Sequence, residues 1–154
     1  SHWNVMKIAL GEKRESRKIN VFEASDLNSF YEASELGKSR FNKRMNKIKT
    51  ETIEIKTLDS ILKKIDLKNK NIFLKIDTQG FDINVFRGAK KHMSKICALM
   101  SEIPIQKIYK TTQSYHDILK EYESHKFQIS GIFPVSQNKK NHTAIEFDCV
   151  MLKS

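Results

Sequence analysis

Two carboxylates close apolar segments of this sequence, at positions where an acid can act on a ligand. The run 72–76 predicts a strand covered on both faces, and Asp77 follows it directly. Residues 96–103 predict another buried strand, ended by Pro104, and Glu102 lies at its carboxyl end. Because ligands of open α/β sheets bind beyond the carboxyl ends of the strands, we expect Asp77 and Glu102 to border one site. The alternatives are a turn cap for Asp77 and a structural ion pair for Glu102.

The residues around Asp77 could orient it and shape the turn. Lys75 lies two positions earlier, so it points to the same sheet face and could pair with Asp77. Gly80 lets the backbone turn freely or approach a ligand closely. Asp82 comes just before the apolar residues of a predicted helix, whose positive N-terminal end favours an acid. The stretch 72–82 therefore predicts a strand, an acidic turn and the start of a helix.

Alternating strands and helices must position these residues. The patterns predict strands over 5–10, 18–23, 53–55, 72–76, 96–103, 127–133 and 144–152, and helices over 58–65, 83–93 (interrupted near Gly88) and 115–122. We expect the first two strands to form a hairpin and the last two to pair antiparallel. Residues 25–31 predict a short capped helix or a loop that folds over a ligand. The fold class is α/β, a mostly parallel sheet with an antiparallel C-terminal edge pair.

Length and composition indicate one soluble globular domain. The chain has 154 residues, of which 39% are hydrophobic and 30% charged. Ser1-His2 is interpreted as a cloning remnant and 3–154 as a single domain, itself part of something longer. No apolar run nears the roughly 18 residues of a membrane span, and no signal peptide is visible, so we expect a cytoplasmic protein. We expect buried free thiols at Cys97 and Cys149, and no metal site, because no metal-ligand spacing is present.

The net charge of +10 leaves the partner open. The most basic stretch carries six cations and no acid: Lys38, Arg40, Lys43, Arg44, Lys47 and Lys49. It could bind nucleic acid or another anionic partner, or it could be a solvated surface, with Phe41, Met45 and Ile48 on one helix face. No recognised nucleic-acid motif is present. A third possibility is self-association into a homo-oligomer through an exposed sheet edge.

Several segments together resemble the FkbM family of methyltransferases over residues 3–152. They are Ala9-Leu10-Gly11, Thr57-Leu58-Asp59, residues 74–82, residues 85–89 and Ser101-Glu102. The block 77–89 is the most specific of them. The family most often has Glu where this chain has Asp82, a difference that keeps the charge.

The resemblance implies a methyl transfer from S-adenosylmethionine, usually to an oxygen of a sugar or natural product, so the partner is a small-molecule or glycan acceptor. The implied fold is the seven-stranded, doubly wound Rossmann-like sheet. Asp77 would take the proton of the acceptor, Glu102 would orient acceptor hydroxyls and Lys75 would support Asp77. The implied cofactor-binding residues are Ala9, Leu10, Gln79 and Gly80, with Ala9 and Leu10 beside the adenine.

One departure from the family pattern concerns the cofactor. In such folds a glycine-rich turn after the first strand holds the methionyl part, and an acid after the second strand holds the ribose. This sequence has no glycine-rich turn near its start and begins at what corresponds to the third strand. We therefore expect a C-terminal portion of the domain that lacks its first strands and cannot bind the cofactor normally unaided.

Overall fold

Seven strands form two small mixed sheets in residues 3–154, the part of the chain that this computed structural model describes. The strands are β1 (Ala9–Leu10), β2 (Glu15–Phe22), β3 (Lys47–Lys56), β4 (Ile72–Ile76), β5 (Ile96–Pro104), β6 (Phe127–Gln137) and β7 (Ala144–Lys153). The α-helices are α1 (Glu35–Phe41), α2 (Leu58–Leu62), α3 (Asp82–Arg87) and α4 (Tyr115–Ser124), and 3-10 helices cover Ser25–Leu27, Asn42–Met45 and Met93–Lys95. The predicted α/β class is confirmed. The interpretation of Ser1 and His2 lies outside the described residues.

The first sheet has the order β1-β3-β2, so the predicted hairpin of the first two strands is wrong. β1 pairs parallel with β3, with Ala9 opposite Ile55 and Leu10 opposite Lys56. β2 pairs antiparallel with β3 from Glu15 to Phe22, a far longer ladder than β1 offers. The longer β2–β3 ladder pairs more backbone N–H and C=O groups. Because of this pairing, β3 lies between β1 and β2.

The second sheet has the order β4-β5-β7-β6. Only β4 and β5 run parallel, whereas the pairs β5–β7 and β6–β7 are antiparallel. The antiparallel C-terminal pair is confirmed, but the prediction of a mostly parallel sheet is wrong because both sheets are mixed. β4 is an edge strand of the described sheet, and Phe73 is 58% exposed, so β4 is not covered on both faces as predicted. Association of two copies through this edge stays a prediction.

Helices α2, α3 and α4 cover one face of the second sheet and enclose the main core. Thr57 caps α2 by accepting from the Ser60 backbone N–H, and Ser114 caps α4 by accepting from the Asp117 backbone N–H. The fully buried Phe86 contacts Tyr122 edge to face, with 4.7 Å between ring centroids. Among residues 3–154, every helix falls short of the length and apolar character that a membrane crossing requires.

A smaller second core joins the end of β2 and the loop 25–31 to residues 108–109 and β7. It includes Phe22, Leu27, Met45, Ile108 and Tyr109. The predicted helical face through Ile48 is wrong, because α1 ends at Phe41 and β3 begins at Lys47, which leaves Ile48 57% exposed. Residues 25–27 form a short 3-10 helix, but it follows Ala24 and no side chain caps it, so the predicted cap is wrong.

The two cysteines are free, but only Cys149 is buried. Cys97 is exposed, so the prediction of two buried thiols is half wrong. The register between β4 and β5 shifts here, since Ile72 lies opposite Ile96 while Phe73 lies opposite Ala98. Cys97 is the extra residue at this irregularity, so its side chain is exposed instead of packing in the core.

Phe86→Ala should lower the free energy of unfolding by about 3–5 kcal/mol, because it empties the centre of the main core. The matched substitution Phe73→Ala, on the exposed edge strand, should change it by no more than about 0.5 kcal/mol. Urea unfolding followed by circular dichroism measures both. Equal losses would contradict this assignment of the core.

Candidate functional site

An open cleft of about 570 Å³ lies at the carboxyl ends of β4 and β5. Its lining includes Asp77, Gln79 and Glu102 from the predicted site, together with Glu146 of β7. Residues 25–28, together with Arg40 and Phe41 of α1, also line it. The parallel pairing of Ile76 with Ser101 places Asp77 and Glu102 side by side at this edge. The structure thus brings the two predicted carboxylates into one cleft.

Asp77 is held by two hydrogen bonds from neighbouring side chains. Lys75 Nζ donates to Asp77 Oδ2 at 2.8 Å, and Gln79 Nε2 donates to Asp77 Oδ1 at 3.3 Å. The predicted pair of Lys75 and Asp77 therefore forms. The hydrogen bond to Asp77 is the main reason why the pKa of Lys75 is raised. Because each carboxylate oxygen can accept two hydrogen bonds, Asp77 keeps acceptor capacity for a ligand.

The turn after Asp77 is built from two residues with left-handed backbone, Gln79 (φ 50°) and Gly80 (φ 87°). Tyr109 Oη donates to Gln79 Oε1 at 2.9 Å, and Ser29 Oγ donates to the Gln79 carbonyl oxygen at 2.7 Å. A Cβ at position 80 would collide with Thr112. Gln79 thus links the second core to Asp77, and Gly80 is required by the turn itself.

Glu102 lies half-buried on the same sheet face as Asp148, its partner across the β5–β7 ladder. Burial raises its pKa to about 8, and the nearby negative charges of Glu146, Asp77, Asp82 and Asp148 add to this effect. At neutral pH the carboxyl of Glu102 is therefore mostly protonated. Asp77 and Glu102 occupy different environments, one tied to a cation and the other surrounded by acids.

Two further acids belong to this region, although the sequence patterns did not single them out as site residues. Glu146 Oε2 accepts a hydrogen bond from Ser136 Oγ at 3.1 Å, and burial raises the pKa of Glu146. Asp82 is only 4% exposed, and burial raises its pKa to about 6 while Thr78 Oγ1 donates to it at 3.1 Å. The alternation of residues 144–152 indicates that Glu146 faces away from the core, but not which strand it meets.

The basic stretch is largely neutralised by local partners. Four of its six cations form ion pairs: Lys38 with Glu35 at 2.8 Å, Arg44 with Asp26 at 2.8 Å, Lys47 with Glu32 at 3.0 Å and Lys49 with Glu51 at 2.7 Å. Exposed ion pairs of this kind are weak, so a solvated surface and an anion-binding patch both stay predictions for this stretch.

Ala9 and Leu10 lie apart from the cleft. Both are half-buried in β1 beside β3, and Leu10 packs against the main core. The structure therefore assembles Lys75, Asp77, Gln79 and Glu102 at one edge, while Ala9 and Leu10 occupy a different part of the fold.

The sequence matches a family model described as the methyltransferase FkbM domain over residues 2–129. The chain belongs to the FkbM methyltransferase family. The match includes β4, the turn with Asp77 and β5 with Glu102, so the family resemblance seen in the sequence is confirmed. Glu146 lies beyond the matched range of this FkbM-family chain. No curated protein and no solved structure matches the chain.

Methyltransferase families imply S-adenosylmethionine, but the described residues do not fit its main cradle. A cradle needs a glycine backbone open to the ligand, and the chain has five glycines. Protein atoms would meet a Cβ at every one: Ile55 at Gly11, Ile108 at Gly37, Thr112 at Gly80, the Gly11 carbonyl at Gly88 and Phe133 at Gly131. The glycines of this chain are used for its own packing, so we derive no step through the cofactor.

The raised pKa of Glu102 predicts that stability falls with pH. The folded state holds this proton up to about pH 8, whereas an unfolded glutamate releases it near 4.5. Between these values the folded protein binds more protons, so the free energy of unfolding should decrease as pH rises. The pKa values of Asp82 and Glu146 shift in the same direction.

Urea unfolding at pH 5 and pH 8 tests this dependence. Glu102→Gln removes the titrating carboxyl, so the free energy of unfolding should decrease less between pH 5 and pH 8. Glu123→Gln, which removes an exposed acid on α4, should leave the decrease unchanged. A decrease of the same size in Glu102→Gln would contradict the assigned role of Glu102.

Proposed function

We propose that this chain forms the acceptor-binding part of an S-adenosylmethionine-dependent O-methyltransferase with a Rossmann-like sheet. The acceptor is a hydroxyl of a sugar or natural product. The observation that carries the proposal is the position of Asp77 in a family member, at the end of β4 and on the wall of an open cleft beside Glu102. The cleft is lined by hydrogen-bonding side chains such as Gln79 and Ser136 and by apolar ones such as Phe41, a mixture that suits the hydroxyl groups and carbon faces of a sugar.

In this proposal Asp77 accepts the proton that the acceptor hydroxyl loses as its oxygen forms the new bond to carbon. Lys75 and Gln79 hold one oxygen each of Asp77, which fixes the orientation of the carboxylate. Glu102 contacts and orients the acceptor. Two carboxylates in unlike environments can take two different roles at one pH, as proton acceptor and as positioning group.

We further propose that the main cofactor cradle lies on residues outside this chain. The crowding of all five glycines supports this, as does the free edge of β4, to which further strands could add. Ala9, Leu10, Gln79 and Gly80 would then contribute secondary contacts to the cofactor. Gln79 and Gly80 are the nearer pair to the cleft, because Gln79 lines it.

Calorimetric titration of this chain with S-adenosylmethionine should show no micromolar binding. The expected result follows from the missing cradle. Titration with S-adenosylhomocysteine, which lacks the sulfonium charge, controls for weak electrostatic attraction to the acids. Micromolar affinity for either compound would contradict the proposed division of the site.

Asp77→Asn, made in a longer protein that joins this chain to the proposed cofactor cradle, should reduce methyl transfer by about 10²–10⁴-fold, because the amide cannot take a proton. Its circular dichroism spectrum and unfolding midpoint should stay close to those of the unaltered protein, since Asp77 is exposed. The matched control is Asp66→Asn, an exposed acid outside the cleft, which should retain full activity. Retained activity in Asp77→Asn would remove Asp77 from the chemistry.

A further inference from the structure

Arg40 brings to the cleft a guanidinium group that the protein leaves largely without partners. It is half-buried in the last turn of α1 and lines the cleft. Its Nη1 donates to the Gln137 carbonyl oxygen at 3.3 Å, which is a long contact, and its buried Nε has no hydrogen-bond acceptor in the described residues. Within residues 3–154 this guanidinium forms no ion pair. A buried N–H donor without an acceptor is costly to keep, so it indicates an acceptor that the protein itself does not supply.

Arg87 shows how the same donors are used elsewhere in this chain. Its Nε donates to Glu121 Oε1 at 2.7 Å and its Nη2 donates to Glu121 Oε2 at 2.6 Å, so one edge of the guanidinium holds both oxygens of one carboxylate. In Arg40 the bond to Gln137 uses Nη1, and the edge formed by Nε and Nη2 is without an acceptor. Because Nε is buried, the side chain has to turn to present this edge to a ligand, and only one long contact opposes the turn. The free edge of Arg40 therefore matches a carboxylate.

The four acids that line the cleft do not neutralise Arg40, which is the one cation among its lining residues. Two of these acids already form ion pairs, Asp26 with Arg44 and Asp77 with Lys75. Burial raises the pKa of Glu102 to about 8, so Glu102 is mostly protonated at neutral pH. Burial also raises the pKa of Glu146, against the opposing effects of Ser136 and Arg40. The charge that lacks a close partner in this cleft is therefore the positive charge of Arg40.

We propose that the acceptor carries a carboxylate beside its hydroxyls, as in a uronic acid, and that Arg40 binds this carboxylate. The inference rests on the proposed function and names the substrate class of the same cleft. A carboxylate supplies two oxygens in one plane and one negative charge, which match the free edge and the single charge of Arg40. A phosphate monoester carries about two negative charges at pH 7, so it would add a surplus negative charge beside Asp77 and Glu146. A neutral sugar supplies acceptor oxygens without any charge.

Calorimetric titration of this chain with D-glucuronate and D-glucose at pH 7 tests the inference. The two sugars differ only at C6, which is a carboxylate in glucuronate and a hydroxymethyl group in glucose. Glucuronate should bind on the order of tenfold more tightly, because a charge-assisted, two-point contact is stronger than a neutral one. Arg40→Gln should abolish this preference. Arg14→Gln, which removes the same charge from an exposed arginine outside the cleft, should retain it. D-glucose 6-phosphate should bind less tightly than glucuronate.

Nitrogen NMR of the arginine Nε–H groups gives an independent readout on the unaltered chain. The Nε–H signal of Arg40 should shift along a saturable curve when glucuronate is added, because this donor gains an acceptor. Glucose should leave the signal in place. The Nε–H signal of Arg87, whose donor already holds Glu121, should not move with either sugar and serves as the internal control.

Equal affinity for glucuronate and glucose, tighter binding of the 6-phosphate, a preference that persists in folded Arg40→Gln, or no binding of any of these sugars would overturn the inference. If Arg40→Gln fails to fold, the NMR titration of the unaltered chain decides, and an unmoved Arg40 signal refutes the inference. None of these results decides the proposed function, since methyl transfer is measured separately. Conversely, if Asp77→Asn retains methyl transfer while glucuronate is preferred, the role of Asp77 fails and the carboxylate site stands.

Discussion

The left-handed turn after β4 is the constraint on which the site depends. A non-glycine residue with positive φ costs about 1–2 kcal/mol, and Gln79 takes this conformation. Ser29 donates to its carbonyl oxygen and its own side chain donates to Asp77, and each of these hydrogen bonds is worth about 1 kcal/mol, so together they offset the cost. Gly80 then completes the turn at the one position where a Cβ would strike Thr112. Tyr109 of the second core and Ser29 thereby contact the residue that hydrogen-bonds to the carboxylate at the end of β4.

The same geometry explains why the acids of the cleft behave differently. Asp77 lies on the turn, where Lys75 and Gln79 reach it. Glu102 lies one strand further into the sheet, where β7 places Asp148 directly opposite and Glu146 nearby. Burial raises the pKa of Glu102, and the acids that the antiparallel addition of β7 places beside β5 add to this effect. The fold thus separates two carboxylates into a paired one and an unpaired one.

Local features of this fold could be predicted from the sequence because they depend on near neighbours. The apolar run before Asp77, the strand ended by Pro104 and the helix caps Thr57 and Ser114 are all such features. Pairing between distant segments could not be predicted in the same way. The insertion of β3 between β1 and β2 depends on competition between ladders, and the exposure of Cys97 depends on a register shift. Glu146 was missed for the same reason, since only the pairing of β7 with β5 brings it close to Glu102.

The central claim is that Asp77 and Glu102 border one acceptor site. Carbon-detected NMR of the side-chain carboxyls, recorded during titration with a hexose such as D-glucose, tests it most directly. The account predicts that the signals of Asp77 and Glu102 shift together along one saturable curve, while the signal of the exposed Glu123 stays in place. Saturable shifts at other carboxyls, with Asp77 and Glu102 unchanged, would contradict it.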